Sequence, residues 1–109
     1  MMPATKLRGV VFFMIDGFDI DYYDAATMPV MRRMARDGFF KTGSCIFPSL
    51  TNANNISIAC GCWPEQHGVT TNCHYDQASD RAMFLEDASF LAAPTIFERA
   101  ARADIASAL

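Results

Sequence analysis

The feature that most constrains this chain is an unbroken apolar run, Gly9-Val10-Val11-Phe12-Phe13-Met14-Ile15, cut off by Asp16-Gly17. It is β-branched and aromatic with no polar alternation, the pattern of a strand buried on both faces of a parallel sheet. Such a strand delivers the residue after it to the carboxyl edge of the sheet, where ligands of open α/β sheets bind. Asp16 is therefore well placed for chemistry.

The segments that follow fit the same class. Pro29 suits the first turn of a helix with Val30, Met31 and Met34 as its apolar stripe. Arg32, Arg33 and Arg36 complement the dipole at its far end, and Gly38 closes it. Phe39 to Phe47 reads as a second strand or extended segment ended by Pro48-Ser49, and a helix starts at Thr51 and runs through Ile56, Ile58 and Ala59 to Gly61. Trp63 to Asp87, rich in Pro, Gly, Asn, Asp and Gln, reads as a long ordered loop with at most short helical or strand pieces; loops of that length are usually functional. From Pro94, the residues Ile96, Phe97, Ala100 and Ala101, with Ile105 and Leu109 further on, describe an amphipathic helix. Thr95 and Glu98 form its capping box, and Glu98 with Arg102 an i,i+4 pair. This order is the opening of an α/β fold. Two strands do not make a stable parallel sheet, so residues 1–109 are expected to be the N-terminal part of a larger catalytic domain.

Composition narrows the partners. The formal net charge is −3 and the basic residues are scattered, which argues against a nucleic-acid surface or a polybasic membrane surface. A small anionic substrate would then be held by a metal or by local dipoles. The apolar run is too short for a signal-peptide core, and no span of about 18 apolar residues occurs. A cytoplasmic protein is expected, with Cys45, Cys60, Cys62 and Cys73 as thiols. The oligomeric state is left open, a homodimer included.

Three residues are candidates for chemistry. A carboxylate at the end of a hydrophobic run needs a partner to offset desolvation, and a divalent metal serves Asp16 as well as a turn with Gly17 or a helix cap does. Thr51 follows a Pro-marked turn at a helix start, where N–H groups and the dipole favour an anion and a metal could hold the deprotonated hydroxyl as a nucleophile; an ordinary Thr cap is the alternative. Asn72 can donate its NH₂ to a phosphoryl oxygen, or serve a turn. His67 reads as a hydrogen-bonded structural residue, and one of Asn54 and Asn55 as a loop-bonding side chain. Phe39, Phe40 and Trp63 are candidates to flank a site entrance.

The ordered combination is more specific than its parts. Ile-Asp-Gly after a strand is followed by Pro-Ser-x-Thr-x-x-Asn, then Pro-Glu-x-His-Gly and Asn-x-x-Tyr-Asp, with Asp16 and Thr51 separated by 35 positions. This order resembles the nucleotide pyrophosphatase and phosphonoacetate hydrolase branch of the alkaline phosphatase superfamily. Pro48 to Ala59 and Ala93-Pro94-Thr95-Ile96-Phe97 look most like the phosphonoacetate-hydrolysing side of it.

The resemblance implies a three-layer αβα sandwich and two zinc ions in the complete enzyme. It makes Asp16 a ligand of one zinc, Thr51 the nucleophile on that same zinc, and Asn72 a phosphoryl contact. It implies C–P cleavage of phosphonoacetate to acetate and phosphate, with phosphodiester or nucleotide pyrophosphate hydrolysis as the alternative within the branch. The branch more often has Pro at the position of Ala53. Its other Asp and His ligands and its substrate-binding Lys residues belong after position 109, so residues 1–109 alone are expected to be inactive.

A reading of another class is a small structural zinc module built on Cys60, Cys62, Cys73 and either His67 or His74. The Cys60-x-Cys62 spacing falls outside the usual zinc pattern.

Overall fold

The computed structural model describes residues 9–108, which form two compact units divided between Lys41 and Thr42. The readings that fall on Met1 to Arg8 and on Leu109 lie outside the described residues.

In the first unit, Gly9 to Ile15 is not part of a sheet. The expected strand lacks a partner among the described residues, and its side chains are exposed, from 50% at Met14 to 80% at Phe13. The pattern of a strand buried on both faces can only be realised when other strands and covering layers flank it. A turn follows, closed by the Phe18 N–H donating to the Ile15 carbonyl at 3.4 Å, with Gly17 at φ 68°, a conformation that glycine adopts without strain.

Helix α1 (Ile20–Ala25) was not anticipated. Asp19 caps it, its Oδ1 accepting from the Ile20 N–H at 2.6 Å, and Asp21 adds an acidic residue to the first turn, where the dipole favours it. Helix α2 (Pro29–Asp37) starts on its proline and stops at Gly38, as expected. The two helices meet through Arg32, which donates from Nη2 to the carbonyls of Tyr23 (2.8 Å) and Asp24 (3.2 Å) at the end of α1. The same guanidinium lies 4.9 Å from the centre of the Tyr23 ring. Tyr23 is the buried residue of this unit among the described residues, and Phe40 stacks on it at 4.8 Å.

The second unit begins with Thr42 to Leu50, which carries no strand; of the two readings offered for Phe39 to Phe47, the extended segment is the one observed. Helix α3 (Thr51–Cys60) follows and ends in a Schellman turn. Cys62 N–H donates to the Ser57 carbonyl and Gly61 N–H to the Ile58 carbonyl, with Gly61 at φ 65°. Ala53 and Cys60 are its buried residues, while Ile58 stays 50% exposed, so the small side chains of α3 face inward. This lets α4 (Pro64–His67) and α5 (Ile96–Arg102) pack on it closely.

Between α4 and α5 the long loop holds the short pieces foreseen: an antiparallel pair of β1 (Cys73–Asp76) and β2 (Arg81–Phe84), with Cys73 opposite Phe84 and Asp76 opposite Arg81, then a 3₁₀ turn at Ala88–Phe90. Thr95 and Glu98 form the anticipated capping box on α5: Glu98 N–H donates to Thr95 Oγ1 (3.3 Å) and Thr95 N–H to Glu98 Oε2 (2.6 Å). The bonds it accepts from the Thr95 N–H and the Thr95 hydroxyl hold the Glu98 carboxyl below its usual range, with Arg102 adding to the effect. No helix among the described residues is long and apolar enough to cross a membrane.

Candidate active site

The second unit fixes the start of α3 with three asparagines. Asn54 bridges the entry turn: its Oδ1 accepts from the Ile46 N–H at 3.2 Å and its Nδ2 donates to the Leu50 carbonyl at 3.0 Å. This is the loop-bonding asparagine expected of the Asn54-Asn55 pair. Leu50 occupies the cap position and offers no side-chain acceptor, so Thr51 stands at the first helical position, exposed, and is not the cap.

The first N–H groups of a helix have no partner within it. That of Asn52 donates instead to Asn72 Oδ1 at 2.9 Å, across 20 residues of sequence. Because the oxygen of the Asn72 amide is committed to this bond, its NH₂ is the end left to act as a donor beside the first turn of α3. Asn52 in turn donates from Nδ2 to the Leu85 carbonyl at 3.3 Å, and Leu85 N–H donates to the Asn72 carbonyl at 2.9 Å. Thr51 and Asn72 are thus brought to one helix terminus, where dipole and N–H groups favour an anionic group.

An open groove of about 450 Å³ runs between Ile46-Phe47-Pro48 and Trp63-Pro64-Glu65. Of the aromatic residues considered for the entrance, Trp63 lines this groove, whereas Phe40 stacks on Tyr23 in the first unit.

His67 has the structural role expected of it. It is fully buried, and its Nδ1 accepts from the Val69 N–H at 3.2 Å. The proton is therefore on Nε2, which donates to Ser57 Oγ at 2.9 Å, and Ser57 Oγ donates to the Ala53 carbonyl at 2.7 Å. Burial pushes the His67 pKa down, as the neutral ring requires.

Asp16 belongs to the first unit, is exposed, and sits in the Ile15–Phe18 turn. The turn reading of Asp16 is realised; the cap of the next helix is Asp19 instead. Its carboxylate and the Thr51 hydroxyl are oxygen donors that zinc accepts, but a lasting site needs three or four protein ligands. Among the described residues, no three His, Cys, Asp or Glu side chains stand close enough to hold a metal ion. The structural zinc module therefore finds no ligand set there. Both His67 nitrogens are engaged, and Cys60 is a thiol donating to the Ala93 carbonyl at 3.5 Å, its pKa raised by burial and by neighbouring Cys62.

Residues 10–109 match the type I phosphodiesterase / nucleotide pyrophosphatase family, and the chain belongs to it. Among solved structures it is similar to phosphonoacetate hydrolase from Sinorhizobium meliloti in complex with phosphonoacetate: 36% identity, TM-score 0.71, covering 81% of this chain and 22% of that one. The same enzyme with phosphonoformate aligns at TM-score 0.64, covering 77% and 21%. Curated relatives include human ectonucleotide pyrophosphatase/phosphodiesterase family member 1, 30% identical over 77% of this chain, and a Caenorhabditis elegans ectonucleotide pyrophosphatase/phosphodiesterase, 35% identical over 62%. The chain spans only 9% and 8% of the length of those two relatives. The fold is therefore the alkaline-phosphatase-like one expected, of which this chain carries a part made of helices and a small sheet.

Proposed function

We propose that the chain is the N-terminal part of the catalytic domain of a zinc-dependent hydrolase that cleaves the C–P bond of phosphonoacetate to acetate and phosphate. The observation that supports this reading is the Asn72 clamp on the Asn52 N–H, which brings the Asn72 amide to the start of α3, where Thr51 is exposed. The similarity to phosphonoacetate hydrolase at 36% identity supports the choice of substrate.

In this reading Thr51 Oγ attacks phosphorus, the C–P bond breaks, and the electron pair leaves with the acetate carbon, which takes up a proton. Water then opens the phosphothreonine and releases phosphate. The Asn72 NH₂ donates to a phosphoryl oxygen as negative charge builds, and the N-terminus of α3 adds its positive end. Asp16 and Thr51 are the residues of this chain that would hold one of two zinc ions, which when bound would supply the Lewis-acid chemistry that lets the Thr51 hydroxyl give up its proton and act as the nucleophile. The remaining ligands lie in sequence outside residues 1–109, and the protein works in the cytoplasm.

The test uses the full-length protein with phosphonoacetate. Acetate and phosphate are expected in equal amounts, with loss on chelation, recovery on added zinc, and loss in Thr51→Ala. Turnover that survives Thr51→Ala overturns the reading. The nucleotide pyrophosphatase relatives give the second reading a specific basis: release of a nucleoside monophosphate with no acetate formed selects hydrolysis of a phosphodiester or pyrophosphate.

A further inference from the structure

We infer that Asn52 is a positioning residue that sets the orientation of the Asn72 amide beside Thr51. The inference rests on the function proposed above and assigns a role to a residue that function does not itself use.

Asn52, Asn72 and Leu85 close a ring of three hydrogen bonds. Asn52 N–H donates to Asn72 Oδ1 (2.9 Å), Asn52 Nδ2 donates to the Leu85 carbonyl (3.3 Å), and Leu85 N–H donates to the Asn72 carbonyl (2.9 Å). Each bond fixes a different degree of freedom. The first decides which end of the Asn72 amide points to the helix. The third holds the Asn72 backbone to the residue that follows β2. The second, made by the Asn52 side chain, ties that residue back to α3, so the first bond keeps its length and direction.

An amide has nearly equal shape either way round, and only its partners choose between O and NH₂. A flipped Asn72 would turn a carbonyl oxygen towards the developing charge of a phosphoryl group, replacing a donor by a repulsive acceptor. Asn52 is half-buried, so the bond to Leu85 is partly shielded from competing water. The neighbouring asparagine on the helix, Asn54, faces the entry turn and does not join this ring.

The test is a double-mutant cycle in the full-length protein, with phosphonoacetate as substrate and phosphate release as readout. Loss of a preorganised oxyanion donor costs on the order of a hundredfold in kcat, and partial misorientation costs less, so Asn52→Leu should lower kcat about tenfold with KM changed by less than about twofold. Asn52→Gln keeps an NH₂ donor and should recover most of the loss. Asn52→Leu added to Asn72→Ala should lower kcat no further than Asn72→Ala alone, since the amide to be oriented is gone. Asn52→Ser, which removes the Leu85 bond with a small soluble side chain, makes the same comparison if the leucine variant loses its thermal transition. The inference is overturned if the two single effects multiply in the double variant, or if Asn52→Gln is no better than Asn52→Leu. Thr51→Ala, run alongside, separates the two claims. Turnover surviving there sinks the proposed function; an inactive Thr51→Ala with full activity in Asn52→Leu sinks only the role of Asn52.

Discussion

His67 and Ser57 form a hydrogen-bonded chain: the buried His67 ring lies with Nε2 2.9 Å from Ser57 Oγ, which donates to the Ala53 carbonyl at 2.7 Å. The chain links α4 to the middle of α3, the helix that presents Thr51, so the stability of this contact bears on the site as well as on the fold.

Ser57→Ala removes the acceptor of a fully buried N–H. The expected loss is about 1–3 kcal/mol, the cost of an unsatisfied buried donor, read as a lower midpoint in thermal or urea denaturation. Ser57→Thr keeps the hydroxyl and should lose less. Equal losses in the two variants would show that the hydroxyl is not what matters.

The same contact makes stability depend on pH. The folded pKa of His67 is lowered from 6.5, so above that value neither state binds a proton at this site and stability is level. As pH falls below about 6.5 the unfolded chain takes up a proton that the folded ring refuses, and stability declines until the folded pKa is passed. Denaturation midpoints between pH 7.5 and about 5 should fall in the wild type and flatten in His67→Gln. An unchanged slope in that variant would assign the pH dependence to other groups.

Asn72→Asp is a nearly isosteric change with opposite chemistry. One carboxylate oxygen can still accept from the Asn52 N–H, so the fold should be kept. The other replaces an NH₂ donor by a negatively charged acceptor. A loss of at least about a hundredfold in kcat is expected, with an unchanged circular dichroism spectrum. Activity within tenfold of wild type would remove Asn72 from the site.

The four thiols should react in an order set by burial. Cys45 is exposed and Cys60 is buried, its pKa raised by burial. Iodoacetamide at neutral pH should modify Cys45 first and Cys60 last, followed by mass spectrometry of digests. Early labelling of Cys60 would contradict the packing of α3 against the Ala93 carbonyl.

What could be read from the sequence was local. Pro29 with Gly38, and Thr95 with Glu98, mark helix ends through bonds that span a few residues, and α2 lies where those signals put it, as does the start of α5. Helix α5 ends at Arg102, however, because Asp104 at φ 56° leaves the helix, so Ile105 is exposed beyond it and not on its apolar stripe. Helix α1 was missed although Asp19 and Asp21 are good start signals, because its six residues carry too little apolar periodicity to stand out. The apolar run at residues 9–15 has the composition of a sheet-buried strand, but strand formation is a property of neighbours, and local composition cannot supply them. At the site, Thr51 was legible as a residue at a helix start, one position off the cap. Asn72 was legible only as a lone amide. The ring that orients it closes through Leu85, 33 residues from Asn52, and no local spacing encodes that meeting.

The exposed run from Val10 to Ile15 has a consequence for handling the protein. It holds no proline and no charge, and both of its faces are apolar. Short segments of that kind stack between molecules into cross-β ladders when nothing shields them. In preparations of residues 1–109 by themselves, this hexapeptide is where fibril growth would start, and a lysine at Phe13 is the simplest gatekeeper against it.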